Sequence, residues 1–264
     1  MYRISPTVKQ LLIINVIFFI GTMSLPEIKD YLSLFFPEND SFWFWQVFTH
    51  MFMHADISHL FFNMFALWMF GSAVESMLGS RKFLFFYITC GLGACIIQIL
   101  YQYFTFYPNL DIIINNSQNF DKAYVLEFLN KFNLEIRYIK DEFLLSNSPT
   151  SEWINILGKE DGLDFIRSFA TPMVGASGAI MGVLVAFGMF FPENKLMLIF
   201  LPIPIKAKYF IPGIILMDLF SAITRTAIFS PSNTAFIAHI GGALTGFLLM
   251  YYWKKTQFNR NRWY

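Results

Sequence analysis

The motif Gly-Ala-Ser-Gly at residues 175–178 begins an apolar run that continues to Phe191. A serine hydroxyl acts as a nucleophile only when a neighbouring base takes its proton. The candidate base is His239, which lies in the motif Ala-His-Ile-Gly-Gly at residues 238–242, inside the last apolar run. Ser177 and His239 therefore predict nucleophilic catalysis by a serine and a histidine, provided that the fold brings the two runs together.

Another apolar run carries two further polar side chains. His59 and Asn63 are four residues apart, which places them on one face of a helix. Both can donate hydrogen bonds, as can the backbone N–H of Ser177, which has no intrahelical acceptor at a helix start. Donors aimed at one point stabilise the oxyanion that forms when a nucleophile attacks a carbonyl group. We expect His59 and Asn63 to supply that stabilisation.

These residues lie in a chain that has the composition of a membrane protein. Of its 264 residues, 56% are hydrophobic and only 14% are charged, whereas soluble domains carry about 25% charged residues. The mean hydropathy is +0.49. The net charge of +1 gives no reason to expect nucleic-acid binding. Cys90 and Cys95 lie in one apolar run, at a spacing that indicates neither a disulfide framework nor a metal site.

The apolar runs predict an all-α membrane protein with six transmembrane helices, because lipid offers no hydrogen-bond partner to a bare backbone and a span takes ~20 residues. The predicted spans are Val8 to about Met23, His59–Leu78, Phe83 to about Phe106, Ser177–Phe191, Tyr209 to about Ile223 and Ala235–Trp253. No small-x-small cleavage site follows the first run, which we interpret as an uncleaved span. Lys and Arg in the short connections place both termini in the cytoplasm of a multi-pass cell-membrane protein.

The connections divide the chain into four parts. Residues 1–106 hold the first three spans and an aromatic, interfacial first loop, and residues 107–170 form a polar extracytoplasmic insert between the third and fourth spans. Residues 171–253 hold the last three spans, and residues 254–264 are a basic cytoplasmic tail. Between the fourth and fifth spans, the loop from Glu193 to Lys208 is expected to lie along the inner membrane surface. The insert contains a helical apolar rhythm from Asp121 to Asn133.

The rise of an α-helix predicts that Ser177 and His239 lie at nearly the same depth in the membrane. Ser177 lies ~24 Å along its helix from Glu193, and His239 lies ~22 Å from Lys254. In a hydrocarbon core of ~30 Å, both fall in the outer half, in a pocket that opens to the extracytoplasmic side. Stripes of small residues allow close approach of the two helices. These stripes are Gly178, Gly182 and Ala186 on the fourth span and Gly242, Ala243 and Gly246 on the sixth.

At these residues, over His50–Phe106 and Thr171–Trp253, the chain resembles the rhomboid family of intramembrane serine proteases. The sequences around Ser177 and His239 look like the family's nucleophile and general-base motifs, and His59-x-x-x-Asn63 looks like its oxyanion-stabilising pair. Glu75-x-x-x-Gly79 resembles the family's ending of the second span. The resemblance implies a rhomboid-like six-helix bundle. It also implies a serine endopeptidase that cleaves single-span membrane proteins in or near their transmembrane segments through an acyl-enzyme, without metal or cofactor.

The resemblance further implies a catalytic dyad with no third carboxylate. The sequence places no acid beside His239, and Asp218, on the fifth span, is interpreted as a capping or packing residue. His54 is implied to be structural. The first loop departs from the family, which often has Trp-Arg where this chain has Trp45-Gln46.

Three other functions fit some of the same residues. His50, His54 and His59 suggest a zinc site, but no carboxylate or thiol ligand accompanies them at a suitable spacing. A catalytically inactive rhomboid-like protein would bind transmembrane helices, although such relatives usually lack the serine or the histidine. A transporter or channel would need polar residues across the whole bilayer, and here they cluster in its outer half.

Overall fold

The computed structural model describes residues 4–138, 144–145, 149–198, 201–226 and 235–258. Contacts divide the chain into two compact units. One unit comprises residues 1–25, 50–98 and 174–264, and the other comprises residues 26–49 and 99–173.

The first unit is a bundle of apolar helices. They are α1 (Pro6–Ser24), α4 (Ile57–Ala66), a π-helical turn (Leu67–Gly71), α5 (Ser72–Leu78), the first part of α6 (Ser80–Asn116), α11 (Ser177–Phe190), α12 (Ala207–Thr224) and α13 (Phe236–Trp253). The segment from α4 to α5 is one continuous apolar stretch. Among the described residues, five helical stretches are long and apolar enough to cross a membrane, and α11 is a shorter apolar helix. The chain is thus an all-α membrane bundle, and the crossing of the membrane by the fourth predicted span, Ser177–Phe191, stays a prediction.

Helix α11 is the central helix of this bundle. Its residues from Gly178 to Phe187 are all buried, and it contacts the π-helical turn, α5, α12 and α13. A helix surrounded by protein needs no long lipid-facing surface of its own. This explains why a helix of only 14 residues lies among longer ones.

Hydrogen bonds to Glu75 connect the start of α1 to the junction between α5 and α6. Its carboxylate accepts hydrogen bonds from the hydroxyl of Ser5, the N–H groups of Thr7 (3.0 Å) and Val8 (2.9 Å), and the hydroxyl of Ser80 (2.6 Å). The Thr7 and Val8 amides have no partner within α1, because the first amides of any helix lack an intrahelical acceptor. Glu75 therefore acts as a cap supplied from another helix.

The connection between α11 and α12 is a β-hairpin. Strand β1 (Lys195–Leu198) pairs antiparallel with β2 (Leu201–Lys206), with Lys195 opposite Lys206. The sequence predicted a loop along the inner membrane surface here and no strands. Pro204 is tolerated because each strand of a two-stranded sheet has a free edge that needs no N–H donor. Glu193 lies 2.7 Å from Lys206 and 2.6 Å from Lys208, and hydrogen bonds from these two lysines lower the pKa of Glu193 to about 2.

The second unit has a helical core of its own. Besides the end of α6 it contains α2 (Pro26–Leu32), α3 (Gln46–Thr49), α7 (Lys122–Lys131), α8 (Asn133–Tyr138), α9 (Thr150–Leu157) and α10 (Lys159–Ala170). Trp153, Phe165 and Phe169 are fully buried in this core. The third span was predicted to end near Phe106, but α6 continues to Asn116. It continues because Phe106, Leu110 and Ile113, spaced at helical intervals, are buried in the core of this unit.

Gln46 organises the first loop within the second unit. Its amide oxygen accepts a hydrogen bond from Phe35 N (3.2 Å), and its amide nitrogen donates to Ser41 O (2.8 Å). The side chain is fully buried. Gln46 thus connects separate parts of the loop at the position where the sequence departs from the family's Trp-Arg pair.

Candidate active site

A glycine with unusual backbone geometry precedes the candidate nucleophile. Gly175 has φ 124°, a conformation that residues with a Cβ rarely adopt. Its N–H donates to the carbonyl oxygen of His50 (2.9 Å). A Cβ at this position would lie 2.9 Å from Nε2 of His59 and 3.6 Å from Oγ of Ser177. Because Gly175 has no Cβ, a small space remains open, with Nε2 of His59 and Oγ of Ser177 both beside it.

Ser177 is the first residue of α11, with Ala176 as its N-cap residue. At this position the backbone N–H of Ser177 has no acceptor within the helix. Ser177 itself is half-buried, whereas the flanking Ala176 and Gly178 are buried. Ser177 is thus a partly accessible residue between buried neighbours at the start of the helix.

His59 and Asn63 occupy one face of α4. The N-cap residue Asp56 accepts from the N–H of His59 (2.8 Å), which fixes the start of that helix. Nδ1 of His59 lies 3.4 Å from the N–H of Ala55, as an acceptor. A neutral imidazole that accepts at Nδ1 carries its proton on Nε2, the atom beside Gly175. His59 is therefore oriented as a donor toward the space next to Ser177.

Asn63 supplies a second donor. The residue is buried at 7% exposure, and its Nδ2 has no hydrogen-bond partner among the residues that the structure describes. A buried amide group without a partner costs free energy, commonly 1–3 kcal/mol, so such groups are rare unless they serve a function. Helix α4 also contacts α11. The Nδ2 group of Asn63 is thus free to donate a hydrogen bond to an acceptor atom of a bound substrate.

The ring of His54 packs against the ring of His59. The two rings pack edge to face with centroids 5.1 Å apart. His54 is 1% exposed, and burial, with a smaller effect from neighbouring His59, lowers the pKa of His54 to about 4. His54 is therefore neutral at pH 7. No group of three or more His, Cys, Asp or Glu side chains within the described ranges has the geometry to hold a metal ion.

His239 lies in the first turn of α13, the helix that packs most closely on α11. A Cβ at Gly182 would be 3.0 Å from the carbonyl oxygen of Gly242, and one at Gly246 would be 2.6 Å from Cα of Gly182. The predicted stripes of small residues therefore do contact each other, backbone against backbone. His239 is also close enough to His59 for their charges to interact.

The structure corrects the expectation that no acid lies beside His239. Oδ2 of Asp218, on α12, is 2.9 Å from Nδ1 of His239. The two residues are 21 positions apart on separate helices, so their contact depends on how α12 packs on α13, which the residues next to either one do not reveal. The observed contact gives Asp218 a specific partner on the neighbouring helix.

The structure brings together the helices that carry Ser177, His59, Asn63 and His239. No hydrogen bond joins Ser177 Oγ to His239 within the part of the chain that the structure describes. Catalytic hydrogen bonds are often long or absent in unliganded enzymes and form when substrate binds. The hydroxyl of Ser177, which is half-buried and at a helix start, can reorient by rotation about one bond.

Comparison with known proteins identifies the family. The sequence profile of the Rhomboid domain matches residues 41–106 and 154–256, together more than half of the chain. The chain belongs to the rhomboid family. It is also 40% identical over 58 residues to a protein of Bacillus subtilis (strain 168) named Rhomboid protease GluP. That match covers 22% of this chain and 11% of the relative, so the aligned segment is a small part of the relative's length. Family membership and the apolar helices together establish a multi-pass membrane protein of rhomboid type.

Proposed function

We propose that this rhomboid is an intramembrane serine endopeptidase that cleaves single-span membrane proteins in or near their transmembrane segments. The observation that carries the proposal is the backbone contact between α11 and α13, which sets the helices of Ser177 and His239 side by side next to two oriented donors. The positive φ of Gly175 is accompanied by open space beside His59 and Ser177 that a Cβ would fill. A buried Nδ2 of Asn63 with no partner among the described residues would be costly in a protein that only packed helices. Both features fit a site that binds a reacting carbonyl group.

The proposed reaction is acyl transfer. His239 Nε2 takes the proton from Ser177 Oγ as Oγ bonds to the carbonyl carbon of the scissile peptide. The resulting oxyanion accepts hydrogen bonds from the Ser177 N–H, Nε2–H of His59 and Nδ2 of Asn63. The C–N bond then breaks, and the imidazolium gives its proton to the leaving amine. A water molecule, deprotonated by His239, attacks the acyl-enzyme and frees Ser177.

We further propose that both termini face the cytoplasm and that the pocket opens to the extracytoplasmic side, where residues 107–170 form the insert. The arrangement of Lys and Arg residues supports this orientation. Substrates of the proposed enzyme would therefore be cut near the outer ends of their spans. The proposal includes no metal and no cofactor, because serine, imidazole and oriented N–H donors suffice for the chemistry.

Cleavage of a single-span substrate in liposomes tests the function. We expect the wild-type protein to release the product fragment, and Ser177→Ala and His239→Ala to release none above the uncatalysed background. Ser76→Ala is a matched control, since Ser76 is exposed on α5 and donates to the carbonyl oxygen of Ala73. Cleavage that Ser177→Ala leaves unchanged would rule out the assignment.

The second candidate is an inactive relative that holds transmembrane helices. Such a protein would bind the same single-span substrate without cutting it, and Ser177→Ala would leave binding intact. Co-purification of substrate with wild type and Ser177→Ala, measured beside cleavage, separates the two functions. Binding by both proteins with no cleavage by either would favour the inactive relative.

A further inference from the structure

Asp218 and His239 form a buried pair that the reaction outlined above does not use. Their interacting atoms are 2.9 Å apart, and the side chains are only 8% and 12% exposed, respectively. A carboxyl group in an apolar bundle is costly unless a partner compensates the loss of water. The pair joins α12 to α13, and it does so at the residue that the proposed chemistry requires as its base.

We propose that Asp218 is a positioning residue for His239: it holds the Nδ1–H group and thereby presents Nε2, without a proton, to Ser177. This inference rests on the proposed serine endopeptidase function and extends its site from two residues to three. Asp218 does not touch the reacting atoms. It acts on them only through the imidazole ring.

The chemistry of the two groups supports this role. A carboxylate can accept hydrogen bonds but cannot donate them, so the proton of a neutral His239 must reside on Nδ1 when the two are bonded. The lone pair is then on Nε2, where a general base needs it. Without the carboxylate, the ring is free to adopt the other tautomer, with its proton on Nε2, which cannot take a proton from Ser177. The bond also fixes the rotation of the ring.

The contact is specific to one ring nitrogen. A carboxylate that merely joined two helices could bond either nitrogen, and a bond at Nε2 would occupy the atom that Ser177 needs. Among the described residues, His59 of α4 also lies within range of an electrostatic interaction with His239. Helix α11, which packs against α13, carries no titratable side chain. Asp218 is therefore the acid that sets the tautomer of His239 within the described part of the bundle.

The first experiment compares kcat and KM for a single-span substrate in liposomes. Asp218→Asn keeps the shape of the side chain but can donate to Nδ1, which favours the wrong tautomer. We expect kcat to fall by at least about 10-fold, with KM changed by less than about 3-fold. Asp218→Glu restores the carboxylate and should recover part of the lost kcat. The matched control is Ser221→Ala, a buried polar residue on the same helix, which should retain wild-type kcat.

The second experiment asks whether Asp218 acts through His239. The rate at which a fluorophosphonate modifies Ser177 is measured for Asp218→Asn, His239→Ala and the double variant. A positioning role predicts that Asp218→Asn slows the wild-type rate but adds nothing in the His239→Ala background, because residues that act as one unit are not additive. A structural role predicts an equal slowing in both backgrounds.

These experiments distinguish failure of the positioning role of Asp218 from failure of the proposed endopeptidase function. If Ser177→Ala abolishes cleavage while Asp218→Asn keeps wild-type kcat, the function stands and the positioning role is overturned. If Asp218→Asn does not fold, as judged by thermal unfolding in detergent, the residue serves stability and the inference is again overturned. Loss of kcat with intact folding, partial recovery in Asp218→Glu and non-additivity together support it.

Discussion

The backbone of Gly242 on α13 lies directly against the carbonyl group of Gly178 on α11, so closely that a Cβ at position 242 would be 2.6 Å from the Gly178 carbonyl carbon. Two helices approach this closely only when neither carries a side chain at the contact. Because Gly178 follows Ser177 directly, this contact sets the distance between the proposed nucleophile and the helix of its base.

Gly242→Ala should therefore separate the two helices. The added methyl group meets backbone, which cannot move aside as a flexible side chain would, so we expect a loss of stability of about 1–3 kcal/mol, typical of overpacking. Activity should fall by more than the fraction of protein that unfolds, since a displacement of about 1 Å can cost 100-fold in rate.

A second glycine provides the control for this prediction. A Cβ at Gly213, on α12, would meet no atom within 4 Å. Gly213→Ala should be neutral or stabilise the helix by up to about 1 kcal/mol, with activity unchanged. Thermal unfolding and cleavage rates of both variants in one detergent test the contrast. Equal behaviour of Gly242→Ala and Gly213→Ala would show that the backbone contact does not govern the site.

The proposed oxyanion donors, His59 and Asn63, should affect turnover more than substrate affinity. His59→Ala and Asn63→Ala each remove one donor whose hydrogen bond forms mainly in the transition state. We expect kcat to fall by about 100-fold to 1,000-fold for each, with KM within a few-fold of wild type.

Ser58→Ala is a control on the same helix, since the hydroxyl of Ser58 bonds to the N-cap residue Asp56 (2.5 Å) and takes no part in the proposed reaction. Its kcat should stay close to that of wild type. A rise in KM that accounts for the whole loss in His59→Ala would show that His59 binds substrate and does not stabilise the oxyanion.

The orientation of the chain can be tested by cysteine labelling, because the native Cys90 and Cys95 are both buried. Asn119 and Lys255 are exposed positions, one in the insert and one after α13. In right-side-out vesicles, a membrane-impermeant maleimide should modify Asn119→Cys directly and Lys255→Cys only after permeabilisation. The reverse pattern would place the proposed active site on the cytoplasmic side.

The helices of the first unit could be predicted from the sequence because each apolar run ends at a proline or at Lys and Arg residues. The run from Ser177 to Phe191 became α11, which ends before Pro192, and the last run became α13, followed by Lys254. The stripes of small residues also predicted which helices meet. The length and periodicity of an apolar run suffice for the bounds of a helix, because these depend on local sequence alone.

Other features depend on contacts between distant residues and could not be predicted in this way. The extension of α6 beyond Phe106 follows from a core that its residues share with α10, where Phe106 stacks on Phe165. In the insert, the apolar rhythm from Asp121 to Asn133, with Tyr124, Phe128 and Phe132 four residues apart, did mark a helix, α7. However, the fully buried residues of α7 are Val125 and Leu129, since the packing of neighbouring helices decides which face is covered.

The contact between Asp218 and His239 was missed for the same reason. Nothing in the sequence near Asp218 differs from an ordinary polar residue in a span. Only the packing of α12 on α13 reveals its partner. A search for intramembrane acids that could reach a candidate base, allowing for tilt and side-chain length, would have found it.

The central claim is that Ser177 is a nucleophile activated by His239, and covalent capture tests it most directly. The wild-type protein in liposomes is treated with a fluorophosphonate, and the modified residue is located by peptide mass spectrometry. We predict one adduct, on Ser177, formed at the wild-type rate in Ser76→Ala and at least about 100-fold more slowly in His239→Ala. An adduct on another residue, or modification of Ser177 at an undiminished rate without His239, would contradict the account.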